Sequence, residues 1–166
     1  MSVNKRHRQS GAAMVEMALT LALFLAIVFA IFEFALAYFK WDRAAEGARQ
    51  GLRQAIVSSP ATGSALALTC PGGQVVVQCT TADCQPILNS IQRVAPFVQG
   101  SQVSVTYACS DAGNPARPAA LAIPEITVEV SGLVYTFAVP GIIGLGTTMQ
   151  LPVIRVSRTG EDLYTQ

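Results

Sequence analysis

The residues that could do chemistry in this chain are few, and their placement excludes most reaction types. His7 is the single histidine, and it lies in the basic opening stretch MSVNKRHRQSG. That position removes Ser-His and Cys-His nucleophile pairs, HExxH zinc sites and imidazole acid–base catalysis from the remainder. Glu125 and Glu129 read as polar positions of one strand rather than as a catalytic carboxylate pair. Gly141, Gly144 and Gly146 follow the order GxxGxG with no Lys-Ser/Thr after them. They read as an apolar hairpin loop, not a phosphate cradle, and Ile142, Ile143 and Leu145 within it offer a patch to a partner or a membrane. The sequence therefore leads us to expect no enzyme, no cofactor, no metal and no small-molecule substrate.

Two other groups of residues carry chemistry. The four cysteines, Cys70, Cys79, Cys84 and Cys109, all follow Ser59. Their spacing does not match zinc ligation, and an even number in a small domain beyond an apolar helix points to two disulfides in an oxidising compartment. The second group is Glu16 and Glu33, the only charges within GAAMVEMALTLALFLAIVFAIFEFALAYF, Gly11 to Phe39. A carboxylate at the bilayer centre costs about 2.5–3.5 kcal/mol, less towards the interface, so an intramembrane glutamate is a functional candidate by default. The plainer alternative is that each reaches the headgroups.

The elements that must position these residues follow from pattern. Roughly 20 apolar helical residues span the hydrocarbon core, and Gly11–Phe39 supplies them without an internal proline. Lys and Arg number 11 against 10 Asp and Glu, so no net field points to nucleic acid. Basic residues flank the helix on both sides, Lys5, Arg6 and Arg8 before it, Lys40, Arg43, Arg49 and Arg53 after it. Charge alone leaves the orientation close to a tie. The cysteines break it, placing the leader in the cytoplasm and the C-terminal domain outside.

Beyond Phe39 the pattern becomes amphipathic. Tyr38, Trp41, Ala45, Ala48, Leu52 and Ala55 recur at helical steps, opposite Asp42, Arg43, Glu46, Arg49, Gln50 and Arg53. We read one helix, first in lipid and then packed on the domain, with Tyr38, Trp41 and Lys40 at the outer interface. Ala35-Leu36-Ala37 also matches a signal-peptidase site, which would release a chain starting at Tyr38. The apolar run exceeds the 7–15 residues of a signal core, and the helical stripe continues past that site.

After the breaker Ser59-Pro60, a Pro71-Gly72-Gly73 turn precedes the β-branched run Val75–Val77. Asp83 is placed to cap a second helix, with Pro86 in its first turn and Ile87, Leu88, Ile91, Val94 and Ala95 on its apolar face. Val103, Val105 and Tyr107 then alternate as a strand, and after the turn-rich loop Asp111–Pro118 a second alternation starts at Ile126. It continues to Val139 with a kink at Gly132, before a last strand from Met149 to Ser157. A helix from Cys84 to about Val98 rises roughly 21 Å, and a strand returning from Ser101 to Cys109 covers roughly 26 Å. Of the three possible pairings, that arithmetic favours Cys84–Cys109, leaving Cys70–Cys79.

The N-terminal residues carry a resemblance. A basic leader, Gly11 and Glu16 five residues later, all opening an apolar helix, resemble the type IV prepilin processing signal. Val15-Glu16-Met17-Ala18-Leu19, Ile31-Phe32-Glu33-Phe34 and Ala44-Ala45-Glu46-Gly47-Ala48-Arg49 are similar to hallmarks of the TadE-like minor pseudopilins of the tight-adherence (Tad/Flp) pilus. Met17 stands where Phe is commoner, and a mid-helix proline frequent in that family is absent. The resemblance is strong from Gly11 to Ala55 and only architectural beyond. It implies cleavage by a membrane aspartyl prepilin peptidase between Gly11 and Ala12, leaving Glu16 as the fifth mature residue. It also implies contacts of Glu16 and Glu33 with neighbouring pilus or pseudopilin helices.

The expected architecture is α+β. Its parts are a leader (1–11), a transmembrane and amphipathic helix (12–57), a disulfide-bonded pilin-like domain (66–158) and a tail (159–166). The domain is expected to hold one further helix and an antiparallel sheet of about three strands. The expected role is a single-pass inner-membrane pseudopilin of a bacterium, its domain periplasmic or extracellular, in assembly or priming of an adhesive, biofilm-forming pilus. The alternative is an unprocessed, membrane-anchored binding module in which Gly11 and Glu16 are incidental.

Overall fold

The structure, a computed structural model, describes residues 4–62, 73–109, 124–138 and 146–160, with side chains from Gly11 onward. Cys70, the Pro71-Gly72 part of the first turn, the loop Asp111–Pro118, the loop stretch 140–145 and the tail from Glu161 lie outside the described residues. The chain divides into two compact units. One comprises Met1–Tyr38 with Thr136–Thr147, the other Phe39–Tyr135 with Thr148–Gln166.

Helix α1 (Asn4–Val57) runs from the basic leader to the Ser-Ser-Pro breaker. The basic leader is itself helical from Asn4. Once a helix is nucleated each added residue gains a hydrogen bond, and no proline in Lys5–Ser10 stops propagation backwards from the apolar run. At the other end, Ser58 N–H donates to Gln54 O and Pro60 prevents continuation.

In the larger unit, the C-terminal part of α1 packs on α2 (Gln85–Val94) through small residues. Ala44, Ala48 and Ala55 have no exposed surface, and Gly47 and Gly51 are buried with them. A Cβ at Gly51 would lie 2.5 Å from Ile91 Cγ1, and one at Gly47 would lie 3.1 Å from Ile91 O. The glycines are what let the helices meet at this distance. Helix α2 buries Ile87, Leu88 and Ile91, as its periodicity predicts. Asp83 does not cap it. Ala82–Cys84 forms a 3₁₀ turn, Cys84 occupies the cap position, and no side chain bonds the first turn.

The main sheet is antiparallel with order β1 (Gln74–Gln78), β2 (Val103–Cys109), β3 (Pro124–Val130) and β6 (Ile154–Thr159). That is one strand more than the sequence leads us to expect. Val103, Val105 and Tyr107 face Val130, Val128 and Ile126 across the β2–β3 ladder, and all six are fully buried. The predicted kink falls at Gly132, whose φ of +70° suits a residue without Cβ. There the chain leaves the sheet, and β4 (Val134–Thr136) pairs instead with β5 (Thr148–Gln150). The expected last strand is thus split, with Leu151-Pro152-Val153 between β5 and β6. Pro152 has no N–H for a ladder, and its carbonyl accepts from Trp41 Nε1 at 3.2 Å.

Tyr107 ties the helix exit to the sheet. Its ring is fully buried, and its hydroxyl oxygen accepts from Ala61 N–H at 3.0 Å. Burial pushes the phenol pKa above its ordinary value of 10.0, against the opposing effect of the Ala61 bond.

Two measurements test these contacts. Gly→Ala in an exposed helix stabilises by about 1 kcal/mol, but Gly51→Ala should destabilise the detergent-solubilised protein by about 1–3 kcal/mol. Its cost and that of Ile91→Ala should be less than additive on denaturant unfolding. For Tyr107 the folded pKa is raised, so the stabilisation is complete below the unfolded value and is lost as pH climbs through and above it. Unfolding midpoints should fall above pH of about 10. Tyr107→Phe should cost about 1–3 kcal/mol at neutral pH by orphaning Ala61 N–H, and should show less of that alkaline loss.

Candidate functional site

The site candidates lie along α1, and the first part of that helix is bare. Its apolar stretch has a mean hydropathy of 2.6, and only 6% of that window is buried. Met14, Met17 and Leu19 are each more than two-thirds exposed. A core helix of a soluble domain is mostly buried, so this surface awaits lipid or protein. It is the one helix among the described residues long and apolar enough to cross a membrane.

Gly11 sits within this helix, and a Cβ there would meet nothing within 4 Å. Ala12 and Glu16 are exposed on the same stretch. The Glu16 carbonyl is tied down locally, accepting from Thr20 Oγ1 at 3.0 Å, while its side chain faces outward. The structure thus presents Gly11, Ala12 and Glu16 together on an uncovered helix.

Glu33 differs. The sequence offers headgroups or a partner helix for it, but the structure supplies a donor from its own chain. Ala138 N–H reaches Glu33 Oε1 at 2.7 Å, and Glu33 is the buried charged residue among those described. The donor is 105 residues away in sequence, so no local pattern signals it. Glu16 and Glu33 therefore occupy different environments on one helix.

Further along, Ala44, Ala45, Gly47 and Ala48 are buried, and Glu46 and Arg49 point outward in an ion pair of 3.2 Å. Hydrogen bonds from Gln50 and then Arg49 hold the Glu46 carboxyl below its usual range. The AAEGAR hexapeptide is thus a packing motif with a charged outer face. Sequence reasoning passed over Gly47 and Gly51, although glycines four apart on one helix face are a readable signal of a close neighbour. Lys40 and Trp41, assigned from sequence to the membrane interface, bond within the domain. Lys40 Nζ donates to Val134 O at 3.1 Å and lies 5.1 Å from the Phe97 ring centroid.

The cysteines pair differently from the sequence expectation. Cys79 is bonded to Cys84, with Cα atoms 4.9 Å apart, so neither Cys84–Cys109 nor Cys70–Cys79 forms. Cys109 is also held in a disulfide. The rise arithmetic omitted the return path. Helix α2 ends at Val94, and the chain then doubles back so that Gly100 abuts Cys79 O before β2 begins. Cys79 N–H bonds Val103 O, whereas Cys109 N–H bonds Gly73 O at the far end of the β1–β2 ladder. Cys84 and Cys109 consequently sit at opposite ends of β2.

With this geometry in place, comparison with known families is informative. A family model described as TadE-like protein matches residues 11–53. Over that stretch the chain is similar to the TadE-like family. The TadE-like stretch takes in Gly11, Glu16, Glu33 and the Ala44–Arg49 motif, and it ends inside α1. It agrees with the resemblance read from Gly11 to Ala55. Comparisons with curated proteins and with solved structures give no match. Among the described residues no group of His, Cys, Asp and Glu could hold a metal ion.

The cysteine pairing is open to direct mapping. Unreduced digests cut between Thr80 and Asp83 should keep the fragments bearing Cys79 and Cys84 joined, and reduction should part them. A Cys84–Cys109 peptide would contradict the structure.

Proposed function

We propose that this chain is a membrane-anchored minor pseudopilin that acts in assembly or priming of an adhesive Tad-type pilus. Its N-terminus lies in the cytoplasm, α1 crosses the inner membrane once, and the disulfide-bonded domain is periplasmic or extracellular. A prepilin peptidase cuts after Gly11, and other pilus or pseudopilin subunits then pack against the helix. The observation that carries this reading is the uncovered apolar helix, opened by Gly11 with Glu16 five residues on, inside the TadE-like match. The role is structural rather than catalytic, and the partners are proteins and lipid.

The physical logic centres on Glu16. After cleavage, Ala12 carries a free amine, and the helix places an exposed carboxylate one turn beyond it. A carboxylate and an ammonium each pay desolvation when buried in lipid, and in low dielectric they attract strongly. Glu16 of one subunit meeting the Ala12 amine of a neighbour discharges both penalties. Apolar packing alone would leave the register of the two helices free, and this pair sets it.

The test is the mass of the N-terminal peptide from membranes of the native host, beside Gly11→Val. Open space at Gly11 means that substitution should not disturb the fold. Processing predicts a chain starting at Ala12, abolished by Gly11→Val, and loss of cross-links to partner helices in Glu16→Ala. A start at Met1 or Ser2 would leave an unprocessed anchored module. A start at Tyr38 would mean secretory cleavage.

A further inference from the structure

The net charge of the chain is only +1, but cations gather at one place in the larger unit. Two clefts flank the last turns of α1, both within that unit. One, of about 460 Å³, lies between α1 and α2 and takes Arg53 from the first helix and Arg93 from the second. The other, of about 290 Å³, lies between α1 and β6 and takes Arg49 and Arg53 from the helix and Arg158 from the strand. Arg53 lines both, so one side chain stands at the divide between them. Among the described residues no Asp or Glu lines either cleft. Each also has an apolar part, Val57 and Val94 in the first, Leu52, Ile56 and Val156 in the second.

Arginines arranged in this way repel one another. Arg49 and Arg53 stand four apart on one helix, where like charges are destabilising. Arg49 is neutralised by Glu46 at 3.2 Å, whereas Arg53, Arg93 and Arg158 join no ion pair among the described residues. All three are exposed. A guanidinium presents a planar fork of donors that fits a carboxylate through two parallel hydrogen bonds, and clusters of arginine are a recurring means of reading acidic segments. The apolar lining suits aliphatic side chains, and a bare phosphate chain would leave it unburied. Headgroups are out of reach. Arg53 stands about 21 Å of helix past Phe39, where the apolar run ends, and salt screens exposed charges over about 8–10 Å. We infer that the two clefts form one docking site for an acidic, aliphatic segment of a partner protein, laid across α1 with Arg53 at its centre. Carboxylates on either side of Arg53 engage Arg93 in one cleft and Arg158 in the other. This goes beyond the pseudopilin reading and depends neither on cleavage after Gly11 nor on contacts of Glu16.

The test uses the full chain in a non-ionic detergent and a fluorescein-labelled synthetic peptide of alternating glutamate and leucine, with binding read by anisotropy. The peptide should bind, and more weakly as salt is raised. Arg53→Glu should weaken binding by about tenfold or more, and by more than Arg93→Glu or Arg158→Glu, because Arg53 lines both clefts. Arg53→Lys, which keeps the charge but loses the fork, should fall between Arg53→Glu and the parent. Arg43→Glu changes an exposed arginine of the same helix that lines neither cleft, and should leave binding near that of the parent. Unfolding midpoints of the variants check that the fold is kept. Absence of binding, or an equal loss in Arg43→Glu and Arg53→Glu, would overturn the inference. So would displacement of the peptide by tripolyphosphate, or by vesicles containing phosphatidylglycerol, at lower concentrations than the unlabelled peptide requires, since the clefts would then serve a phosphate or a lipid surface. The mass of the N-terminal peptide is independent of these outcomes, so failure here leaves the pseudopilin reading standing.

Discussion

Everything in the folded unit depends on how closely α2 can approach α1. Interiors are packed as densely as organic crystals, and at Gly47 and Gly51 there is no room for even a methyl group without displacing Ile91. Ile91 is itself wholly enclosed, so the displacement could not be absorbed at a surface. From this seam the core extends through Leu52, Ala55 and Ala61 to the buried row of β2 and β3. A helix that is rich in alanine and leucine to suit lipid would offer a bland surface to a protein core. The glycines turn that surface into a shaped socket, and so let one continuous helix serve two environments.

The change of environment happens within a few residues. Up to Phe39 the large apolar side chains are mostly exposed, and from Ala44 the buried positions, Leu52 apart, are small. Lys40 and Trp41 stand between, and both use polar atoms on carbonyls of the domain, those of Val134 and Pro152. Aromatic and cationic side chains at such a point are usually read as membrane-interface anchors. Here the same amphipathic chemistry is spent on backbone carbonyls at the start of β4 and in the break between β5 and β6. Pro152 lies between β5 and β6, and its carbonyl is the one that holds Trp41.

What was legible in the sequence was what repeats. The apolar run is continuous and reappears as an uncovered helix, while the helical stripe of α2 and the alternation of β2 and β3 are periodic and reappear on the faces expected of them. The glycine hinge at Gly132 was legible because positive φ selects for that residue. What failed were judgements about where the chain goes between elements. The cysteine pairing turned on the course of Pro96–Gln102, which has no period and runs back towards Cys79. The partner of Glu33 depended on a segment more than a hundred residues distant. At Asp83 a capping residue was recognised correctly by type, but the 3₁₀ turn moved the start of the helix past it. Local chemistry is written locally, whereas closure between distant pieces is decided by the whole core.

The last strand of the main sheet has a consequence for a neighbouring chain. Among the described residues β6 terminates the strand order, and an outermost strand presents unpaired N–H and C=O groups to any passing chain. Arg155 and Arg158 lie on β6 with exposed side chains, and Arg155 is paired with Glu129 on the neighbouring strand at 2.6 Å. Cationic side chains on an edge strand disfavour pairing with a like strand, and Arg158 adds an exposed charge there. Exposed arginines on that edge thereby oppose sheet-to-sheet fusion of copies on that side.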